Sequence, residues 1–146
     1  MFSRKKVDDS QVSALAEQLA SVSFFEGFSA AELQRVAELA EDVDAATGSE
    51  LIDQGRVGQE CFVILEGKAG VYVAGEHVAT IEAGSMVGEM ALIEHRPRNA
   101  TVVAETPMKL VSFNTRAFKQ LLSEMPKAHD KVMETLAERM RARGET

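Results

Sequence analysis

The residues from Gly88 to Thr101 combine a glycine, a carboxylate and an arginine in one short segment. Gly88 lets the backbone approach a ligand closely, and the residues from Glu89 to Leu92 are typical of the opening of a helical turn. The first amides of a helix lack intrahelical partners and attract an anion, and the planar fork of Arg98 can pair with two oxygens of one phosphate. The segment therefore predicts a binding site for a phosphate group.

Glu89 needs a partner other than the phosphate, because a carboxylate next to a phosphate repels it. An ionised carboxylate only accepts hydrogen bonds, so a sugar hydroxyl is a suitable donor, with Arg98 near enough to keep Glu89 charged. The two residues predict a small ribonucleotide with a monoanionic phosphate. A di- or triphosphate is a poorer match, since no Gly-rich loop ends in Gly-Lys-Ser/Thr. The alternative is an ordinary Glu89–Arg98 ion pair in a module that binds no ligand.

Composition narrows the class of protein. A chain of 146 residues, 45% apolar and 27% charged, is large enough for one domain with its own core. Its net charge of -7 argues against direct DNA binding, and the one basic run, Arg4-Lys5-Lys6, is predicted to be a solvated tail. The single cysteine, Cys61, stands in an apolar stretch, which suits a reducing compartment and a structural thiol. With no bilayer-spanning run and no secretory signal, a cytoplasmic location without a membrane partner is expected.

A region of short strands is predicted between two helical regions of a single domain. Residues 1–42 carry apolar side chains at three- and four-residue spacing and are predicted to form an N-terminal helical element. Residues 43–113 are rich in Val, Ile, Phe and glycine, which is typical of an all-β sandwich, barrel or jelly roll. The predicted strands are Glu50–Ile52, Cys61–Leu65, Ala69–Val73, His77–Ile81, Ala100–Ala104 and Met108–Phe113.

Local signals predict where individual helices begin and end. Ser29 and Glu32 have the spacing of a capping box, so a helix is expected to begin there. Residues 114–146 are predicted to hold two C-terminal helices, with Asn114 as N-cap of the first and a bend at Pro126 before the second.

Two stretches of the chain together resemble a known family. Gly88-Glu89-Met90-Ala91-Leu92, followed by Pro97-Arg98-Asn99-Ala100-Thr101-Val102, is similar to the phosphate-binding cassette of cyclic nucleotide-binding domains, the regulatory modules of the catabolite activator protein and of cyclic-nucleotide-dependent kinases. The run from Gln54 to Gly67 resembles the strand pair that precedes this cassette, and Leu19 to Leu33 resembles the N-terminal helical element. The resemblance implies a mainly β fold with flanking helices, namely an eight-stranded jelly-roll barrel with N-terminal helices and a C-terminal hinge and lid helix.

The resemblance also implies a role for each matching residue. Glu89 would take the ribose 2′-hydroxyl and Arg98 the cyclic phosphate, while backbone amides in the two stretches would add phosphate contacts. In the family a hydroxyl residue after the arginine often assists cyclic GMP recognition, so Asn99 at that position favours cyclic AMP, with cyclic GMP as the alternative. Leu65, Val71 and Ala100 would line the purine pocket. The candidate ligand-binding residues are Leu65, Val71, Val87, Gly88, Glu89, Met90, Ala91, Leu92, Arg98, Asn99 and Ala100.

The implied activity is that of a non-enzymatic sensor that signals through its C-terminal helix to a downstream protein. Jelly rolls also house metal-dependent enzymes, but His77, His95 and His129 lack metal-ligand spacing, so no metal and no catalytic residue is expected. Glu94 and His95 are predicted to be solvated loop residues. A transcription regulator truncated before its DNA-binding domain is a further alternative. The last helix could pack back as a lid or pair with a second copy as a homodimer, through the apolar stripe of Val132, Met133, Leu136 and Met140.

Overall fold

A computed structural model describes residues 2–56, 59–94 and 97–142, which fold into two β-sheets with helices at both ends. The strands of this part of the chain are β1 (Phe2–Lys6), β2 (Glu41–Ala45), β3 (Glu50–Ile52), β4 (Glu60–Glu66), β5 (Lys68–Val73), β6 (Glu76–Glu82), β7 (Met86–Val87), β8 (Thr101–Ala104) and β9 (Met108–Asn114). Its α-helices are α1 (Val12–Leu19), α2 (Ala30–Leu39), α3 (Glu89–Glu94), α4 (Thr115–Glu124) and α5 (Pro126–Ala142), with a 3-10 turn at Ser23–Phe25. His95, residues 143–146 and part of the Gln54–Gly67 stretch lie outside the described residues.

The two sheets share one buried interior. The strand order is β1-β2-β9-β4-β7 in one sheet and β3-β8-β5-β6 in the other, and the pairs are antiparallel. Side chains from both sheets meet between them, among them Phe62, Ile64, Ala69, Val102 and Leu110. The predicted mainly β, jelly-roll-like fold with flanking helices is confirmed. Strands β2 to β9 supply the eight strands that the resemblance implies, arranged as two facing sheets, and β1 adds a ninth.

A second core lies between β4 and β9 and the helices. Alternate residues of a strand point to opposite faces, so Cys61 and Val63 pack against the helices while Phe62 and Ile64 face the other sheet. Phe118 of α4 is fully buried in this helix-side core. Cys61 is also fully buried, and burial raises the pKa of its thiol. These contacts agree with the predicted structural role of Cys61.

The predicted strand and helix signals match the observed elements closely. Each of the six predicted strands is present, with bounds that differ by at most one residue at either end. Ser29 Oγ accepts from the Glu32 amide, while the Glu32 carboxylate accepts from the Ser29 amide, which completes the capping box of α2. Asn114 Oδ1 accepts from the Ala117 amide at 2.8 Å and caps α4. Pro126 opens α5, as the predicted bend requires.

The N-terminus differs from the prediction. The run Arg4-Lys5-Lys6 is not a solvated tail but belongs to β1, which pairs with β2 at the edge of the five-stranded sheet. Residues 1–42, predicted to form a helical element, therefore include the strand β1 near their start, and their last two residues belong to β2. The physical reason is side-chain pairing: Arg4 Nη1 lies 2.9 Å from Glu41 Oε1, and Arg4 Nη2 lies 2.8 Å from Glu60 Oε2. Those two acids lie far along the chain, so no local pattern reveals the strand.

Candidate functional site

A cavity of about 640 Å³ lies among the β7–α3 segment, β8 and the end of α5. Its lining includes nine of the candidate ligand-binding residues, namely Val71, Val87, Gly88, Glu89, Met90, Ala91, Arg98, Asn99 and Ala100. It also includes residues that the sequence pattern did not single out as ligand-binding, namely Ile52, Met86, Glu94, Pro97, Val102, Arg139 and Ala142. The fold thus brings most of the predicted site residues to one place.

Two candidates, Leu65 and Leu92, do not line this cavity. Leu65 of β4 follows the strand alternation and packs on the helix-side core with Cys61 and Val63. Leu92 is 2% exposed and belongs to the same core, because α3 turns its apolar side inward. A third prediction is wrong in its placement: Glu94 ends α3 and lines the cavity, and does not lie in a solvated loop.

Gly88 adopts a left-handed backbone conformation and lies close to the side chain of Arg98. Its φ of 86° lies in the left-handed region, where residues with a Cβ are strained. A Cβ built there would lie 2.7 Å from Arg98 Nη1. Gly88 therefore allows both the turn from β7 into α3 and the close approach of the arginine.

Arg98 is fixed in the cavity wall by hydrogen bonds at both ends of the residue. Its amide donates to Arg56 O at 2.7 Å, and its carbonyl accepts from the Gly55 amide at 2.8 Å. The guanidinium donates from Nη1 to Gly88 O at 2.7 Å and from Nη2 to Glu60 O. Arg98 is only 8% exposed, and burial lowers the pKa of its guanidinium, an effect opposed by the carboxylates of Glu60 and Glu89. Since arginine stays charged in proteins, Arg98 presents a buried cation to the cavity.

Glu89 is the buried acid of the same cavity. Its side chain is 15% exposed, and burial raises the pKa of its carboxyl group, an effect that Arg139 and Arg98 oppose. Its ion pair in the described structure is with Arg139, at 4.0 Å between Arg139 Nη2 and Glu89 Oε1. Arg98 donates instead to backbone carbonyls. The two charges therefore face one cavity without the ordinary Glu89–Arg98 ion pair that was the alternative.

Arg139 is the basic residue among the cavity-lining residues that sequence reasoning missed. It lies on α5, far along the chain from the Gly88–Thr101 segment, and reaches the cavity because α5 packs back toward the sheets. Lys127 and Lys131, near the start of α5, donate to Gly27 O at 2.8 Å and Ser23 O at 2.6 Å. The basic residues on the polar side of α5 were the only sequence signal for these contacts.

Glu89→Gln is expected to raise the stability of the ligand-free protein at neutral pH. Because the folded-state pKa of Glu89 lies above its ordinary value, the contribution of Glu89 to stability is largest below that ordinary pKa and is lost as the pH rises through the folded-state value. Removing the charge should raise the melting temperature at pH 7 by a few degrees, the scale set by roughly 1 kcal/mol in a domain of this size. Melting curves from pH 4 to pH 7 should show this gain shrinking toward acid.

The matched control for this prediction is Glu82→Gln, at an exposed acid that ends β6. It should leave the melting temperature unchanged at each pH. An equal melting temperature for Glu89→Gln and wild type at pH 7, or a gain that grows toward acid, would contradict the argument.

Neither a metal site nor a membrane span emerges from the described residues. In residues 2–56, 59–94 and 97–142, no group of three or more His, Cys, Asp or Glu side chains is arranged to hold a metal ion. His77 Nε2 lies 3.2 Å from Thr80 Oγ1, outside the cavity. No helix within the same residues is long and apolar enough to cross a bilayer.

Comparison with known proteins gives the family. The model of the cyclic nucleotide-binding domain matches residues 43–125. The cAMP-dependent protein kinase regulatory subunit of Schizosaccharomyces pombe is 39% identical over 90 residues, which make up 61% of this chain and 22% of that protein. The chain thus matches less than a quarter of that relative's length.

Solved structures agree with the family match. A cyclic nucleotide-binding domain from Methylobacillus flagellatus superposes with a TM-score of 0.76 at 27% identity, over 97% of this chain and 83% of that one. The regulatory domain of Toxoplasma gondii PKA, crystallised with cAMP, superposes with a TM-score of 0.76 at 27% identity, over 88% of this chain and 51% of that one. The chain is therefore a member of the cyclic nucleotide-binding domain family.

Proposed function

We propose that this chain is a non-enzymatic sensor that binds cyclic AMP, in preference to cyclic GMP, in the cavity between Glu89, Arg98 and α5. The observation that carries the proposal is that a buried cation and a buried carboxylate line one cavity of about 640 Å³. Sites for small ligands usually measure about 300–1,000 Å³. A cyclic ribonucleotide carries one phosphate charge and one free ribose 2′-hydroxyl, which match one arginine and one acceptor.

The roles proposed within the site are those that the family resemblance implies, and they suit the chemistry of each group. Arg98 pairs with the cyclic phosphate, and the amides of Gly88, Ala91 and either Asn99 or Ala100 add donors around it. Glu89 accepts from the 2′-hydroxyl, because an ionised carboxylate can only accept. The purine lies against the apolar part of the lining, Ile52, Val71, Val87, Ala100 and Val102.

The named ligands of similar proteins support cyclic AMP. The Schizosaccharomyces pombe relative is a cAMP-dependent protein kinase regulatory subunit, and the Toxoplasma gondii domain was crystallised with cAMP. A regulatory rather than catalytic role for this chain is consistent with that relative's name. A cytoplasmic location goes with this proposal.

The output is proposed to pass through α5 to a downstream protein. Arg139 and Ala142 line the cavity, and Arg139 pairs with the same carboxylate that would accept the ribose hydroxyl. Ligand binding and the position of α5 are then coupled, provided that the ligand binds one position more tightly than the other. Met133 is 41% exposed on α5, so pairing of this helix with a second copy remains the other use of the apolar stripe.

Thermal denaturation with cyclic AMP, cyclic GMP and 5′-AMP tests the proposal. A ligand that binds only the folded state stabilises it by about 2.7 kcal/mol at one hundred times its Kd. We expect the largest rise in melting temperature with cyclic AMP, a smaller one with cyclic GMP, and none with the open dianionic 5′-AMP. Absence of any shift with both cyclic nucleotides at millimolar concentration would favour the ligand-free interaction module. A larger rise in melting temperature with cyclic GMP than with cyclic AMP would contradict the proposed preference for cyclic AMP but not the proposed binding of a cyclic nucleotide.

A further inference from the structure

One residue, Glu60, connects the N-terminal strand to the arginine of the cavity. Arg4 Nη1 and Nη2 donate to Glu60 Oε1 and Oε2, each at 2.8 Å, and Arg4 Nη1 also donates to Glu41 Oε1 at 2.9 Å. The backbone carbonyl of the same Glu60 accepts from Arg98 Nη2. Glu60 therefore has its carboxylate on Arg4 and its carbonyl on Arg98.

Arg4 is held firmly enough to position this carboxylate. Its two parallel hydrogen bonds with Glu60 form the fork-to-fork geometry that gives arginine–carboxylate pairs their strength and direction. The Arg4 guanidinium lies 5.4 Å from the centre of the Phe2 ring, and Phe2 packs against the buried Phe62 at 6.4 Å between ring centres. Arg4 is thus anchored through β1 to the interior of the sandwich.

The Glu60 carboxylate is a potential competitor of the ligand. It belongs to a residue whose own backbone carbonyl accepts from the Arg98 guanidinium, so a Glu60 side chain no longer held by Arg4 would have this cation as a near neighbour. Its attraction already acts on Arg98, because it opposes the lowering of the Arg98 pKa by burial. Within the described residues, Arg98 has no carboxylate within 4 Å.

We propose that Arg4 is a positioning residue of the nucleotide site: it holds the Glu60 carboxylate away from Arg98 and so leaves the guanidinium available to an anion. This inference rests on the proposed function. Without Arg4, the Glu60 carboxylate pairs with Arg98 inside the protein and competes with the cyclic phosphate. The basic N-terminal run would then have two roles, because it forms the edge strand β1 and its Arg4 positions the Glu60 carboxylate.

The test is a cycle of Arg4→Met, Glu60→Gln and the double variant, with the Kd for cyclic AMP measured by calorimetry. Methionine at position 4 keeps an unbranched side chain near Phe2 but removes the charge. Glutamine at position 60 keeps the backbone carbonyl that accepts from Arg98, but its side chain carries no negative charge that could pair with Arg98. We expect Arg4→Met to weaken binding about tenfold, in the range of close charge couplings at binding sites. Glu60→Gln alone should bind like wild type, and the double variant should return to within about twofold of it.

Lys5→Met is the matched control, since Lys5 lies next to Arg4 in β1 and its side chain is 62% exposed. It should bind like wild type. If the role of Arg4 were only to hold β1, the double variant would bind as weakly as Arg4→Met, and that result would overturn the inference. Unchanged binding by Arg4→Met would also overturn it. Should Arg4→Met melt below the working temperature, Arg4→Lys replaces it in the same cycle, because a lysine cannot clamp both carboxylate oxygens.

A measurement without nucleotide separates this inference from the proposed function. The Arg98 Nε–Hε resonance, assigned by its loss in Arg98→Lys, should move in Arg4→Met and return in the double variant. A resonance that stays in place in folded Arg4→Met would overturn the positioning role. If wild type binds neither cyclic nucleotide while the resonance moves as expected, the proposed function fails and the contact through Glu60 stands.

Discussion

Arg98→Met is expected to weaken the binding of cyclic AMP by about 100-fold, because truncating one partner of a buried, hydrogen-bonded charge pair costs about 2–5 kcal/mol. Arg98 is 8% exposed, so water cannot easily replace its guanidinium beside the phosphate. Calorimetric titration of wild type and variant with cyclic AMP measures the change. Arg98→Lys keeps the charge but lacks the planar fork, so its affinity should fall between the two.

Folding must be separated from binding in this experiment. Methionine also removes the hydrogen bonds to Gly88 O and Glu60 O, so some loss of stability accompanies the loss of affinity. Titrations at a temperature well below the melting point of the variant remove this contribution. Arg116→Met serves as the control, since Arg116 is exposed on α4 and does not line the cavity. A folded Arg98→Met protein with the Kd of wild type would refute the phosphate assignment.

Removal of the ribose 2′-hydroxyl is expected to weaken binding to wild type by about 10- to 100-fold, because Glu89 is then left buried without its donor. Glu89→Gln should bind cyclic AMP more weakly than wild type and discriminate much less between cyclic AMP and its 2′-deoxy analogue. Four Kd values, from two proteins and two ligands, give the coupling between the carboxylate and the hydroxyl.

Glu94→Gln is the control for this cycle, since Glu94 lines the same cavity as a second acid. It should keep the wild-type discrimination between the two ligands. Equal affinity of wild type for cyclic AMP and the 2′-deoxy analogue would reject the role of Glu89. Because Glu89→Gln should also melt at a higher temperature without ligand, loss of affinity in a more stable protein would mark Glu89 as a residue kept for binding.

Much of this fold could be predicted from local sequence signals. The Ser29 capping box and the Asn114 cap each depend on side chains within three residues of the amides that they bond, so a short window contains the whole interaction. Strands such as β4 carry enough apolar residues to be identified without knowledge of their partners. That Gly88 and Arg98 belong to one site was also predictable, because both lie within one continuous segment, but their hydrogen bond was not predicted.

The elements that were missed depend on distant partners. Strand β1 is short and basic, and it becomes a strand only through β2 and the acids Glu41 and Glu60. Arg139 is an ordinary surface residue by pattern, and only the packing of α5 brings it to Glu89. Leu65 was placed in the purine pocket by the resemblance alone, whereas in the structure it packs on the helix-side core, where the register between β4 and β9 shifts.

Because Cys61 is completely buried, its reaction with a thiol reagent can report the opening of the wild-type domain. Only a thiolate attacks thiol reagents, and here the sulfur is shielded from solvent and burial raises its pKa. Its strand lies between β9 and β7, so modification requires separation of the sheet from the helices. The rate at which a thiol reagent labels this single cysteine therefore measures the rate at which the domain opens. A cysteine added on the surface can carry a probe, because the only native thiol is buried and does not compete for the reagent.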